Sequence, residues 1–224
     1  MKNCLLFLAV VAMLAIGGPA YSQYLFLDAN HDGHNSGYLT VEPGTSGNDI
    51  LGPAVTQVDV YFDTNHNPNG SSAVCDQTAS DPLSMNSYTI LLRASGSGSV
   101  TFNGWTDNTG FTIGLISGGD GKFFTAGTDA WIGLGSGSYL APGRYKVGTL
   151  SVAVTGSPVI SFLPRGASSI NPNAETDFGS QCAGNDLDQT YKLGSDFALA
   201  NALGTQAPVA VKATTWGKIK QLYH

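Results

Sequence analysis

The sequence predicts an all-β fold: an antiparallel β-sandwich followed by a short helical tail. Three observations carry this. Short runs of β-branched and aromatic residues recur along the chain, some of them alternating apolar and polar with period two. Gly, Pro, Asn and Asp punctuate them, with 29 Gly and 10 Pro in 224 residues. No helical stripe separates the runs, which argues against an α/β fold.

The chain opens with Lys2 and an apolar run from Leu5 to Ile16, broken by Gly17, Gly18 and Pro19. That run is too short to span a bilayer and suits the apolar region of a secretory signal peptide. Ala20 and Ser22 place small residues before a cut at Gln23, so residues 1–22 are read as a cleaved leader and the protein as exported, to the cell surface or beyond. No later segment is long and apolar enough to cross a membrane.

The strands are expected in order. Tyr24–Leu27 comes first and Tyr38–Val41 is short. Val55–Phe62 alternates, with Thr56, Val58, Val60 and Phe62 expected to face inward. Ser87–Ala94, Ser99–Trp105, Phe111–Ile116, Lys122–Thr125 and Ala130–Leu134 follow, then Arg144–Thr155 and Val159–Leu163. The stretches Ser95–Gly98, Gly118–Gly121 and Ala141–Gly143 read as turns, since Gly supplies positive φ and Pro pre-sets a bend. Helix is expected only late, at Ser195–Leu203 and at Thr214–Tyr223, where Trp216, Ile219 and Tyr223 fall at helical spacing behind a Thr cap. The chain therefore divides into the leader, a β-sandwich domain at 23–203, a linker at 204–213 and a basic amphipathic segment at 214–224.

Only 12% of residues are charged, and sixteen acidic residues face six basic ones between positions 23 and 211. This balance disfavours nucleic acid and anionic lipid, whose binding rests on Lys and Arg, and favours cations. Beyond the leader two cysteines remain, Cys75 and Cys182. In an oxidising compartment they are expected to form one disulfide, closing a loop of about 108 residues, for up to roughly 4–5 kcal/mol.

The sharpest chemical signal is the loop Asp28-Ala-Asn30-His31-Asp32-Gly33-His34. Oxygen-bearing side chains at alternate positions, with Gly at the sixth, form the first half of a calcium loop. The carboxylate expected at the twelfth position is replaced by Leu39, so a remote acid, Glu42 or Asp49, has to complete the shell. A second loop, Asp63-Thr-Asn65-His-Asn67-Pro-Asn69-Gly70, repeats the spacing with one charge instead of two, and fewer charges mean weaker binding. The two segments form a weak repeat, each a strand running into Asp-x-Asn-His. The candidate metal ligands are Asp28, Asn30, Asp32, His34, Asp63, Asn65, Asn67 and Asn69, for a structural Ca2+. His31, His34 and His66 lack the rigid spacing of a zinc site. Trp105, Trp131 and Tyr139 are the candidate sugar-stacking aromatics. No nucleophile elbow or zinc-protease helix occurs, and the two Glu, Glu42 and Glu175, form no evident acid pair.

The segment Leu83–Pro164 resembles the cohesin-like, jelly-roll-like and carbohydrate-binding-module-like sandwiches of secreted bacterial proteins. The matching stretches are Met85–Leu92, Gly98–Phe102 and Gly143–Thr155. The resemblance implies a non-catalytic binding or scaffolding module. The function expected is a calcium-stabilised adhesion or binding module whose partner is a polysaccharide or a cell-surface protein. The alternatives are a self-associating structural subunit of a surface layer or filament, and a secreted hydrolase.

Overall fold

The computed structural model describes residues 24–33, 49–66, 83–181, 188–192 and 198–199. The expected strand at 38–41, the leader, the linker and the segment 214–224 lie outside them, as do His34, Asn67, Asn69, Cys75 and Cys182.

The described residues form ten strands and no helix: β1 (Tyr24–Asp28), β2 (Gln57–Asp63), β3 (Met85–Asp107), β4 (Ile113–Gly114), β5 (Phe123–Ala126), β6 (Asp129–Leu140), β7 (Arg144–Phe162), β8 (Asp177–Gln181), β9 (Asp188–Lys192) and β10 (Ala198–Leu199). None of them is a helix able to cross a membrane. Hydrogen bonding runs through one open sheet in the order β10-β1-β2-β7-β3-β6-β4; β5 also pairs with β6, β8 with β3, and β9 with β8. Pairing is antiparallel except for the two-residue parallel contact of β1 with β10.

Two corrections concern strand length. Ser95–Gly98 is no turn, because β3 runs through it from Met85 to Asp107 and joins two expected strands. β7 likewise continues past Thr155 to Phe162. Glycine makes this possible. Gly98 and Gly156 face each other across β3 and β7, with φ of +131° and +65°. A Cβ at Gly98 would sit 2.0 Å from the Thr155 carbonyl oxygen, so only glycine lets the strands meet here. A third correction concerns Ser195–Leu203, where the two described residues, Ala198 and Leu199, are strand and not helix. β8 was not expected at all; its DFGSQ sequence shows little alternation of apolar residues.

β3 is the shared strand. At Leu92 and Arg93 it pairs with β6 on one edge, and at Leu92 with β7 on the other. The sheet is bent: two strands, β7 and β3, lie between Phe62 of β2 and Phe178 of β8, yet their rings meet edge-on at 4.4 Å between centroids. The enclosed side holds the main core, including Leu25, Val60, Phe62, Tyr88, Ile132 and Phe178. Each large side chain buried there contributes about 1.5–3 kcal/mol. Val58, Val60 and Phe62 face this core as their alternation predicts, whereas Thr56 precedes β2 and is exposed. In β7 the period breaks at a bulge opposite Val60 and Tyr61, so Val147 and Leu150 both point inward.

The Ile90-Leu91-Leu92 run is buried on both faces, as in a strand covered on each side. Leu91 joins Ile116, Trp131 and Leu163 in a second cluster. Thr176 fastens this region: its hydroxyl accepts the Leu91 N–H at 3.1 Å and donates to the Leu163 carbonyl at 2.8 Å. Asp129 holds Arg93 through two bonds of 2.7 and 2.8 Å and accepts the Ser169 N–H and hydroxyl at 2.7 and 2.8 Å.

Candidate functional site

β1 ends at Asp28 because the next residues turn back on its carboxylate. That group, fully buried, accepts the N–H of Asn30 at 3.1 Å, of His31 at 2.7 Å and of Gly33 at 2.8 Å. His31 takes φ of +62°, which closes the turn. Asn30 donates from Nδ2 to Asp32 at 3.1 Å, and Asp32 donates its N–H back to Asn30 Oδ1 at 3.0 Å. Asp49 reaches this loop from twenty residues away and accepts the Ala29 N–H at 2.9 Å. Burial raises the Asp28 carboxyl above the ordinary range, and the like charges of Asp49 and Asp32 add to it, against the lowering effect of the Gly33 and His31 N–H groups.

Asp59, opposite Asp28 in the β1–β2 register, has the contrary environment. Burial pushes its carboxyl up, but Lys146 at 2.7 Å, His31 Nδ1 at 2.9 Å and the Thr149 hydroxyl at 2.7 Å outweigh it, and the net shift is downward. Arg144 lies 4.8 Å above the Phe26 ring and 5.8 Å from that of Tyr61, and donates to the Gly33 carbonyl. Phe26 and Tyr61 themselves stack at 5.0 Å. Asp59, Lys146, Arg144 and Asp129 were absent from the sequence-derived site. Their only signal was charge at positions of β-rich segments, where a charge needs a partner if the face is covered.

The second loop repeats the first in miniature. Asp63, 2% exposed, accepts the N–H groups of Asn65 and His66, each at 2.8 Å, and pairs with His66 Nδ1 at 3.2 Å. The register sets Asp63 opposite Tyr24 and Asp28 opposite Asp59, so the loops lie at opposite ends of the β1–β2 pair. They do not converge on a shared ion. The donor set at the first loop is hard oxygen, suited to calcium. Among the described residues, no group of three or more His, Cys, Asp or Glu side chains is assembled to hold a metal.

The three candidate sugar-binding aromatics are not brought together as one exposed platform. Trp105 packs against the main core and donates from Nε1 to the Tyr88 hydroxyl at 3.2 Å. Tyr88 in turn donates to Asp107 at 2.6 Å. Trp131 belongs to the second cluster and is 6% exposed. Tyr139 is half-buried in the last part of β6.

Comparison with known protein families, curated proteins and solved structures finds no match.

Proposed function

We propose that this protein is a secreted, calcium-stabilised, non-catalytic binding module of β-sandwich architecture, acting at a cell surface or on extracellular polysaccharide. The observation that carries the calcium part is Asp49. A remote carboxylate arrives beside the Asp28 loop: Asp49 accepts the Ala29 N–H, and its charge and that of Asp32 add to the burial that chiefly raises Asp28. A divalent cation would offset both the burial and the like charges; the described carboxylates are not assembled around one point, so binding would draw Asp28, Asn30, Asp32 and Asp49 together. The ion would brace the loop and supply no chemistry. At the Asp63 loop the carboxylate is engaged by His66 Nδ1 at 3.2 Å.

The non-catalytic reading is supported by how the buried carboxylates are used. Asp59 and Asp129 neutralise cations, while Asp28 and Asp63 cap turns. Against a filament subunit stand Pro158 and the positive-φ Gly96, Gly98 and Gly156. They lie in the β3 and β7 stretch that no other described strand covers, and such residues blunt a sheet edge against pairing with another molecule.

Thermal melts in EDTA and in about 2 mM calcium test the ion. Calcium is expected to add about 1–2 kcal/mol. Asp28→Ala and Asp49→Asn should erase the gain, and Asp63→Asn should leave it. Equal melts in the two buffers would refute calcium binding. Binding to a broad glycan and polysaccharide array, with and without calcium, tests the rest. A specific hit supports the module; a blank array together with concentration-dependent assembly would favour the structural subunit.

A further inference from the structure

We propose that Asn103–Gly104 is a site of spontaneous deamidation in the folded protein. The sequence holds two Asn-Gly pairs, at 69–70 and 103–104, and the second lies within the described residues. Its setting departs from that of an ordinary strand residue. The β3–β7 register passes from Phe102↔Val152 directly to Gly104↔Ser151, so Asn103 is the extra residue of a bulge and has no cross-strand partner. Asn103 is also exposed. Gly104 is open on the face where a side chain would stand, since a Cβ would meet nothing within 4 Å.

The reaction needs no partner but water. The Gly104 backbone nitrogen attacks Cγ of Asn103. The new N–Cγ bond forms as the Cγ–Nδ2 bond of Asn103 breaks, and ammonia leaves carrying the proton from Gly104 nitrogen. Water then opens the five-membered imide at either carbonyl, giving aspartate or isoaspartate. Regular strands resist this, because ladder hydrogen bonds on both sides of the residue hold the backbone extended. At Asn103 the ladder skips a residue, and the following glycine presents the least hindered nitrogen. Either product adds a negative charge to an already acidic surface. Isoaspartate also inserts a methylene into the β3 backbone between Phe102 and Gly104, both paired with β7.

The test is peptide mapping by mass spectrometry after incubating the purified full-length protein at mildly alkaline pH, with a urea-unfolded sample alongside. Replacement of NH2 by OH at residue 103 should accumulate in the folded sample, with the isoaspartyl form detected by methyltransferase labelling. Gly104→Ala, which the open site accommodates, should suppress conversion at 103 while leaving the melting temperature and conversion at Asn69 unchanged. Conversion at 103 in the unfolded sample but not in the folded one would overturn the proposal, because the ladder would then protect the bulge. Unchanged conversion in Gly104→Ala would overturn it too.

Discussion

Asp129→Asn is expected to lower stability by about 2–4 kcal/mol, the range for breaking a buried ion pair, reduced because the Arg93 side chain is 35% exposed. The Asp129 side chain itself is 0% exposed. Burial alone would raise its carboxyl, but Arg93 and the two donors of Ser169 bring it down to about 2. Arg93 also donates to the Ala167 carbonyl at 2.7 Å, so the pair ties the segment after β7 to both β3 and β6. Asparagine keeps the shape and leaves the guanidinium without its counter-charge. The pH dependence carries a sign. A carboxyl depressed in the folded state stabilises above its unfolded value of about 3.9, and that contribution is lost as pH falls through its folded value near 2. Urea titrations of the native protein should therefore show stability falling between about pH 4 and pH 2, with a shallower fall in Asp129→Asn. Equal slopes, or a loss at neutral pH below about 0.5 kcal/mol, would show the clamp to be inert.

Gly98→Ala should cost about 3–5 kcal/mol, combining a disallowed backbone conformation with overpacking. At φ of +131° an L side chain is strained whatever the space, and here the new Cβ also meets the Thr155 carbonyl at 2.0 Å and the Ser157 nitrogen at 2.8 Å. Neither atom can yield without moving β7. Gly137→Ala is the matched comparison: the position lies in β6, a Cβ there meets nothing within 4 Å, and no positive φ is required. It should change stability by less than about 0.5 kcal/mol. Denaturant midpoints for the two variants decide the matter. Similar midpoints would mean that β3 and β7 separate freely at this point.

Much of the architecture was legible locally. Val58, Val60 and Phe62 announce a half-buried strand by alternation, and each proves buried. The absence of a helical stripe between the runs agrees with ten strands and no helix among the described residues. The Asp28 and Asp63 loops were visible as a repeated Asp-x-Asn-His segment after a strand; that each carboxylate accepts N–H groups two and three positions further on is an Asx turn that the calcium-loop reading did not specify. Strand ends were less legible. Ser95–Gly98 has the composition of a turn, and glycine serves equally where a strand must take positive φ against a close neighbour.

Sequence by itself therefore determined the class of fold, the inward face of β2 and the position of both acidic loops, since each depends on neighbours a few residues apart. Tertiary structure alone decided which distant groups meet. It set Asp49 beside Asp28, Lys146 and His31 on Asp59, and Arg93 on Asp129 across 36 residues. It also buried Trp131, one of the candidate sugar-stacking aromatics, as strand aromatics usually are. Those outcomes follow from strand register and from the bend of the sheet, and both are set by the whole core minimising its exposed apolar surface.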